Sequence, residues 1–240
     1  MTKLEELIEK LCCDGGEYKM LGDAATISRG GRMLLKEMSF RDIVDKYLYI
    51  NAAGVAQGLG SIFEVTKDTT GLLCYGYIDD EAGVTLEILC CAVHDEAQKT
   101  LRLLHGNDEQ MAKIRLAELL EAKAAVLPGD MPRLSEFHGK VERIRQAYKP
   151  DEARAAMRSL TSLDPVRVPT QPDIVTVYLV RGEEAEAVPV LLKEVREVKL
   201  IGTLLAEPQM AAGLHKGDEL SFFLVRNEKG IMCMAVVAEG

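Results

Sequence analysis

Three prolines within eight residues, Pro165, Pro169 and Pro172, constrain this chain more than any other feature. Proline has no N–H to give a helix or a sheet ladder, and it pushes the residue before it towards extended backbone. Such a cluster marks a boundary between folding units. Beyond it the chain reads as almost all β. Strands are expected over 174–180, 188–195, 199–205, 219–225 and 231–238, with turns at Arg181-Gly182-Glu183-Glu184 and Asn227-Glu228-Lys229-Gly230. Five short strands in about seventy residues suggest a curled sheet or small barrel-like domain, because closure removes exposed edges.

Ahead of the boundary the pattern is mixed. Residues 2–13 read as an amphipathic helix, capped by Thr2 and stopped at Asp14-Gly15-Gly16. The segment 32–38 fits either a strand or a helix. Ser39 then caps a short helix over 40–47. After it the period becomes two, and 47–53, 61–66, 71–78 and 84–93 read as strands of an antiparallel sheet joined by short turns. A helix over 95–105 closes this part. The middle of the chain reads as helical: 108–126, then 134–148 with Leu134, Phe137, Val141, Ile144 and Tyr148 on one face, then 151–160. The first two form an expected helical hairpin. The expected class is α+β: an antiparallel sheet with flanking helices over 1–106, a helical segment over 107–163 and a small β-rich domain over 164–240.

Composition narrows the function. A chain of 240 residues that is 48% hydrophobic and 28% charged is globular, and with 5% aromatics and no Trp its core is aliphatic. A net charge of -9 argues against nucleic acid, which needs a basic face. The charged start MTKLEELIEK lacks the apolar stretch of a signal peptide, and no apolar run is long enough to span a membrane. A cytoplasmic protein is expected, with its six cysteines reduced. The vicinal pairs Cys12-Cys13 and Cys90-Cys91 lack metal-ligand spacing and read as buried thiols. No metal and no cofactor is expected.

Candidate chemistry is sparse. Gly54-Val55-Ala56-Gln57-Gly58-Leu59-Gly60-Ser61 has no Lys-Ser/Thr ending and opens no helix, so a loop between antiparallel strands is preferred to a phosphate cradle. In His94-Asp95-Glu96, Asp95 reads as a helix N-cap and Glu96 as a first-turn acid, which leaves His94 as a candidate. His105 and His138 read as solvated imidazoles near helix ends. Glu183-Glu184-Ala185-Glu186 reads as a solvated hairpin tip. In LIGTLLAEPQMAAGLHKGDELSFFLV, residues 200–225, Pro208 ends a strand, Gly202 suggests a bulge or close backbone approach, and Lys216-Gly217-Asp218 makes a tight turn. Glu207 is the residue folding explains least, with His215 and Asp218 beside it.

Those same residues resemble a known family. Pro172-Asp173-Ile174-Val175-Thr176-Val177-Tyr178-Leu179, Gly202-Thr203-Leu204-Leu205-Ala206-Glu207-Pro208 and Gly213-Leu214-His215-Lys216-Gly217-Asp218 are similar to the bacterial YegJ-like domain of unknown function, with its G-T-L-x-N-E-P and G-x-x-x-G-D pattern. The resemblance covers about the last seventy residues. Ala206 stands where that pattern has Asn, and Pro189 lies near the usual place of a Trp. It implies a small β-rich or α+β module and no assigned activity.

Two functions are weighed. The first is a non-catalytic binding or scaffold protein with a protein partner or self-association. The second is an enzyme or small-ligand sensor with a site between domains, for which Glu207, His215, Asp218 and His94 are the ligand-binding candidates.

Overall fold

The computed structural model describes residues 20–21, 24–26, 32–106, 109, 111–196, 199–210, 213–227 and 230–237. The expected helix at 2–13, with Cys12 and Cys13, lies outside the described residues. The molecule is mixed but strand-rich, 22% helix and 46% strand, with antiparallel sheets. Two compact units share the chain: Met1–Asp79 with Thr85–Ala147, and Asp80–Val84 with Tyr148–Gly240.

The first unit is built on a nine-stranded sheet. Its strands are β1 (Met20–Leu21), β2 (Ala24–Thr26), β3 (Met33–Leu34), β4 (Tyr47–Asn51), β5 (Gly71–Asp79), β6 (Gly83–Asp95), β7 (Thr100–Leu103), β8 (Ala112–Arg115) and β9 (Lys123–Leu127). The hydrogen-bonded order is β1-β2-β7-β6-β5-β4-β9-β3, and β8 pairs with β6. Residues 71–78 of β5 and 83–92 of β6 are all buried, so both faces of the central strands are covered. Among the described residues three α-helices accompany the sheet: α1 (Phe40–Ile43), α2 (Ala53–Gln57) and α3 (His138–Ala147). Ser39 caps α1 as expected, its hydroxyl accepting from Asp42 N and its own N–H donating to the Asp42 carboxylate.

Several expectations in this unit are corrected. The helix expected over 95–105 is absent: β6 continues to Asp95, and β7 returns beside it with Ala92 opposite Leu103. The helix expected over 108–126 is replaced by β8 and β9, so the helical hairpin does not form. Lys123–Leu127 pairs along the whole of β4, and that pairing overrides the helix propensity of an Ala-, Leu-, Glu- and Lys-rich segment. The strand expected over 61–66 does not form: 61–62 are a turn, 63 a bend and 64–66 irregular chain. The ambiguous 32–38 segment is both things in turn, strand β3 and then a 3-10 turn at Leu35–Glu37. The apolar stripe over 134–148 does form, as a 3-10 turn Leu134–Phe137 leading into α3, with Leu134, Phe137, Val141 and Ile144 buried.

One residue on that buried face is not apolar. Lys140 of α3 is 2% exposed and Glu87 of β6 is 0% exposed, and the ammonium lies 3.1 Å from a Glu87 carboxylate oxygen. It also donates to the Ile88 carbonyl at 3.1 Å. Neither Glu87 oxygen has a well-directed hydrogen bond among the described residues, so the contact is an ion pair held by charge more than by angle.

In the second unit, α4 (Glu152–Ser159) and a 3-10 stretch, Thr161–Val166, precede six strands. These are β10 (Arg167–Val168), β11 (Gln171–Arg181), β12 (Glu184–Arg196), β13 (Lys199–Leu204), β14 (Glu219–Asn227) and β15 (Gly230–Val236). Each pairs antiparallel with the next, so β11 and β15 run the same way. They pair in parallel, Val177 opposite Cys233 and Leu179 opposite Ala235, and the order of pairings closes on itself. Alternate residues point inward: Val175, Val177, Leu179, Val188, Val190, Leu192, Leu200, Leu204, Leu220 and Phe222 form the core, with Met157 of α4 and Leu163 packed into it. Arg158 of α4 forks onto Asp173 of β11 and reaches Asp80, which ties helix to sheet. At Gly202 a Cβ would lie 2.4 Å from Val190 and 2.6 Å from the Leu191 carbonyl, opposite the register shift between Leu192 and Glu194. The close approach inferred from the sequence is real.

Because breaking a buried pair strands a charge, Lys140→Met alone should cost about 3–5 kcal/mol in urea unfolding. The double variant E87L/K140M should recover most of that loss. Equal losses in the single and double variants would show that the packing of Lys140, and not its charge, matters.

Candidate functional site

The loop after β13 is where sequence reasoning placed its candidates. It leaves β13 at Leu204, whose N–H and carbonyl bond Asp218 O and Gly217 N, both at 2.9 Å, so the two ends of the loop are clasped together. The Glu207 carboxylate accepts from Lys216 N at 2.8 Å with one oxygen and from the His215 imidazole at 2.6 Å with the other. The Asp218 carboxylate accepts from His215 N at 2.8 Å, and Gly217 completes the turn at φ +97°. Glu207, His215 and Asp218 therefore form one cluster on the second unit. His94 belongs to the first unit.

The cluster explains Glu207 physically: its carboxylate takes the place of a backbone acceptor for the 215–218 turn. It is also exposed, with Glu207 and His215 side chains 61% and 69% accessible. The backbone N–H of Lys216 and the bond to His215 hold the Glu207 carboxyl below its usual range, and Glu207 in turn raises the His215 imidazole.

A second carboxylate serves the same loop, Glu186, expected from the sequence as part of a solvated hairpin tip. Glu186 accepts from Gln209 N and Met210 N at 2.8–2.9 Å, while Arg181 donates to the Met210 carbonyl at 3.0 Å. Glu186 is therefore not part of a merely solvated tip. It keeps the inward phase of Val188, Val190 and Leu192 along β12, and a polar residue continuing an apolar phase past the end of a core was the available signal.

His94 sits in a denser setting. Its backbone N–H donates to Thr70 Oγ1 at 2.7 Å, and its ring stacks on Tyr49 with centroids 5.6 Å apart. The Arg32 guanidinium lies against the ring nitrogens and pairs with Glu96. Burial, then the Arg32 charge, lowers the imidazole's pKa. The helix-capping roles expected of its neighbours are corrected here. Asp95 ends β6 and accepts from Ala97 N and Gln98 N across a turn, and Glu96 holds Arg32.

The glycine cluster is also clarified. A short helix, α2, does form, but it begins ahead of Gly58-Leu59-Gly60, which follow it as turns. Gly54 therefore lies in the first turn of a helix, which corrects the expected plain loop, while Gly58 and Gly60 open none. All four described cysteines, Cys74, Cys90, Cys91 and Cys233, are buried, and burial raises each thiol's pKa, that of Cys233 to about 11. Such thiols are not nucleophiles at neutral pH. Among the described residues no group of three or more His, Cys, Asp or Glu is placed to hold a metal ion. No described helix is long and apolar enough to cross a membrane.

Two further surfaces were not foreseen. In the first unit a cleft of about 650 Å³ is lined by Ile62, Phe63, Glu64, His105, Gly106, Glu136 and Phe137. His105, read as a solvated imidazole near a helix end, follows strand β7 and forms one wall of it. On the second unit the outward residues of four strands line up across the register: Ala187 opposite Tyr178, Tyr178 opposite Met234, Met234 opposite Phe223. Ala185, Val180 and Val236 form a parallel row beside it, and Val236 is 79% exposed.

No family model, curated protein or solved structure matches the chain.

Two pH effects follow. The His94 imidazole has a folded pKa below the ordinary 6.5, so below pH 6.5 the unfolded chain takes up a proton that the folded one resists. Stability should fall between pH 7.5 and 5.5 in urea titrations, with a shallower fall in His94→Phe; equal slopes would remove His94 as the cause. In Glu207→Gln, the His215 titration followed by NMR should move down towards 6.5. An unmoved curve would show that Glu207 does not hold the imidazole in solution.

Proposed function

We propose that this chain is a non-catalytic binding or scaffold protein that self-associates through the outward face of its second unit. The observation that carries the reading is the row Ala187-Tyr178-Met234-Phe223, with Val180 and Val236 beside it. Outward positions of a small sheet that closes on its own core are ordinarily polar. Here Tyr178, Phe223 and Val236 are 38%, 40% and 79% exposed, and they lie on strands that are paired to one another. Contiguous exposed apolar side chains of this kind mark interaction surfaces, and Met and aromatic residues are favoured at them.

The closed order of pairings supports reading the second unit as a small barrel-like module, in which the strands carry the contact face and the Glu207–Asp218 loop is a braced rim. The resemblance of the last seventy residues to the YegJ-like domain agrees with a module of this size. A cytoplasmic site of action fits the acidic sequence and the four free cysteines among the described residues.

Light scattering on the eluting protein tests the reading. The wild type should run as a dimer or larger, and Tyr178→Ser with Phe223→Ser should run as a monomer that keeps the wild-type circular dichroism spectrum, since neither side chain is in the core. A monomeric wild type, or an assembly indifferent to both substitutions, overturns self-association through this face.

A further inference from the structure

The first unit carries a cleft with its own chemistry. Its size, about 650 Å³, is within the range of small-molecule sites. The apolar part is rigid: Phe63 and Phe137 are 4% and 2% exposed, so they form a packed floor. Gly106 keeps one wall thin, since a Cβ there would lie 2.4 Å from the Phe137 ring. Any side chain at 106 would close over that ring.

The rim is acidic. Arg133 forks onto Glu136 with Nε and Nη2, which leaves that carboxylate neutralised and lowers its pKa. Glu64 is held differently: one of its oxygens accepts from the backbone N–H of His105 at 2.8 Å. A neutral N–H fixes a carboxylate in place without cancelling its charge, and it occupies only one of about four lone-pair positions. An orientated carboxylate above an aromatic floor suits a cation that also carries an apolar body. It repels a carboxylate or phosphate.

We propose that this cleft binds an organic ammonium, a primary amine on an aromatic or aliphatic body, with the ammonium at Glu64 and the body over Phe63 and Phe137. The site goes beyond the self-association reading and does not depend on it.

The test is an NMR titration of the labelled full chain with phenethylammonium, and with phenylacetate and benzyl alcohol as anionic and neutral counterparts. Phenethylammonium should give saturable shifts at residues 62–64, 105–106 and 136–137. Phenylacetate should give none and benzyl alcohol weaker ones. Glu64→Gln should weaken phenethylammonium binding by about threefold to fivefold, the worth of one partly exposed ion pair. Three results overturn the proposal: no saturable shift with phenethylammonium, equal binding of phenylacetate, or unchanged affinity in a folded Glu64→Gln variant. Should that variant fail to fold, the comparison of the three probes on the wild type decides alone.

Discussion

A lysine ammonium and a glutamate carboxylate meet inside the first unit, and much of that unit's specificity depends on their meeting. Taking two charges out of water costs several kcal/mol each, and the attraction between them repays that only when both are in place. An apolar stripe alone would let α3 slide along the sheet by a turn, because Leu, Val and Ile are interchangeable at low cost. Lys140 opposite Glu87 and the Ile88 carbonyl removes that freedom. Shifted by one turn, the helix would bury both charges unpaired. The pair thus sets the register of α3, and with it the position of Phe137 and the turn that carries Glu136 on the edge of the cleft.

The second unit reaches definition by other means. Its core is apolar apart from Arg167, which is buried and donates to the Met157 and Pro172 carbonyls, and its loops are held by carboxylates bonded to backbone N–H groups. Glu186, Glu207 and Asp218 each accept from main chain between 209 and 216. A loop with few apolar anchors needs such acceptors, because its N–H groups would otherwise compete among water, ladder and turn. Read in this way the acidic character of the segment is structural first. The same carboxylates leave the imidazole of His215 exposed, with Glu207 as its partner among the described residues.

How far the sequence could be read differs between the units for a physical reason. In the second, most strands bury one face and turn the other outward, so alternation is visible and all five main strands appear within a few residues of their expected places. In the first, β4, β5 and β6 lie close to the strands expected at 47–53, 71–78 and 84–93, but β9 is a strand because β4 and β3 pair along it. Residues 112–127 carry a helical composition that local reasoning cannot overrule. Of the candidate residues, Glu207, His215 and Asp218 were found through turn chemistry and do come together. Glu64, His105 and Glu136 come from three separate stretches with no shared motif, and only the tertiary fold assembles them.

The parallel pairing of β11 with β15 has a consequence for how the chain is made. A meander of antiparallel hairpins can form progressively as it leaves the ribosome, each strand finding the one before it. Here the first strand of the ring waits for the last. Until Gly230–Val236 has been synthesised, β11 and β14 both have an open edge, and the core around Val177 and Phe222 is exposed along one side. Contacts this distant in sequence close slowly, and the open intermediate presents two strands ready to pair with another copy. The step that completes the fold is therefore also the step that makes the nascent chain safe from its neighbours.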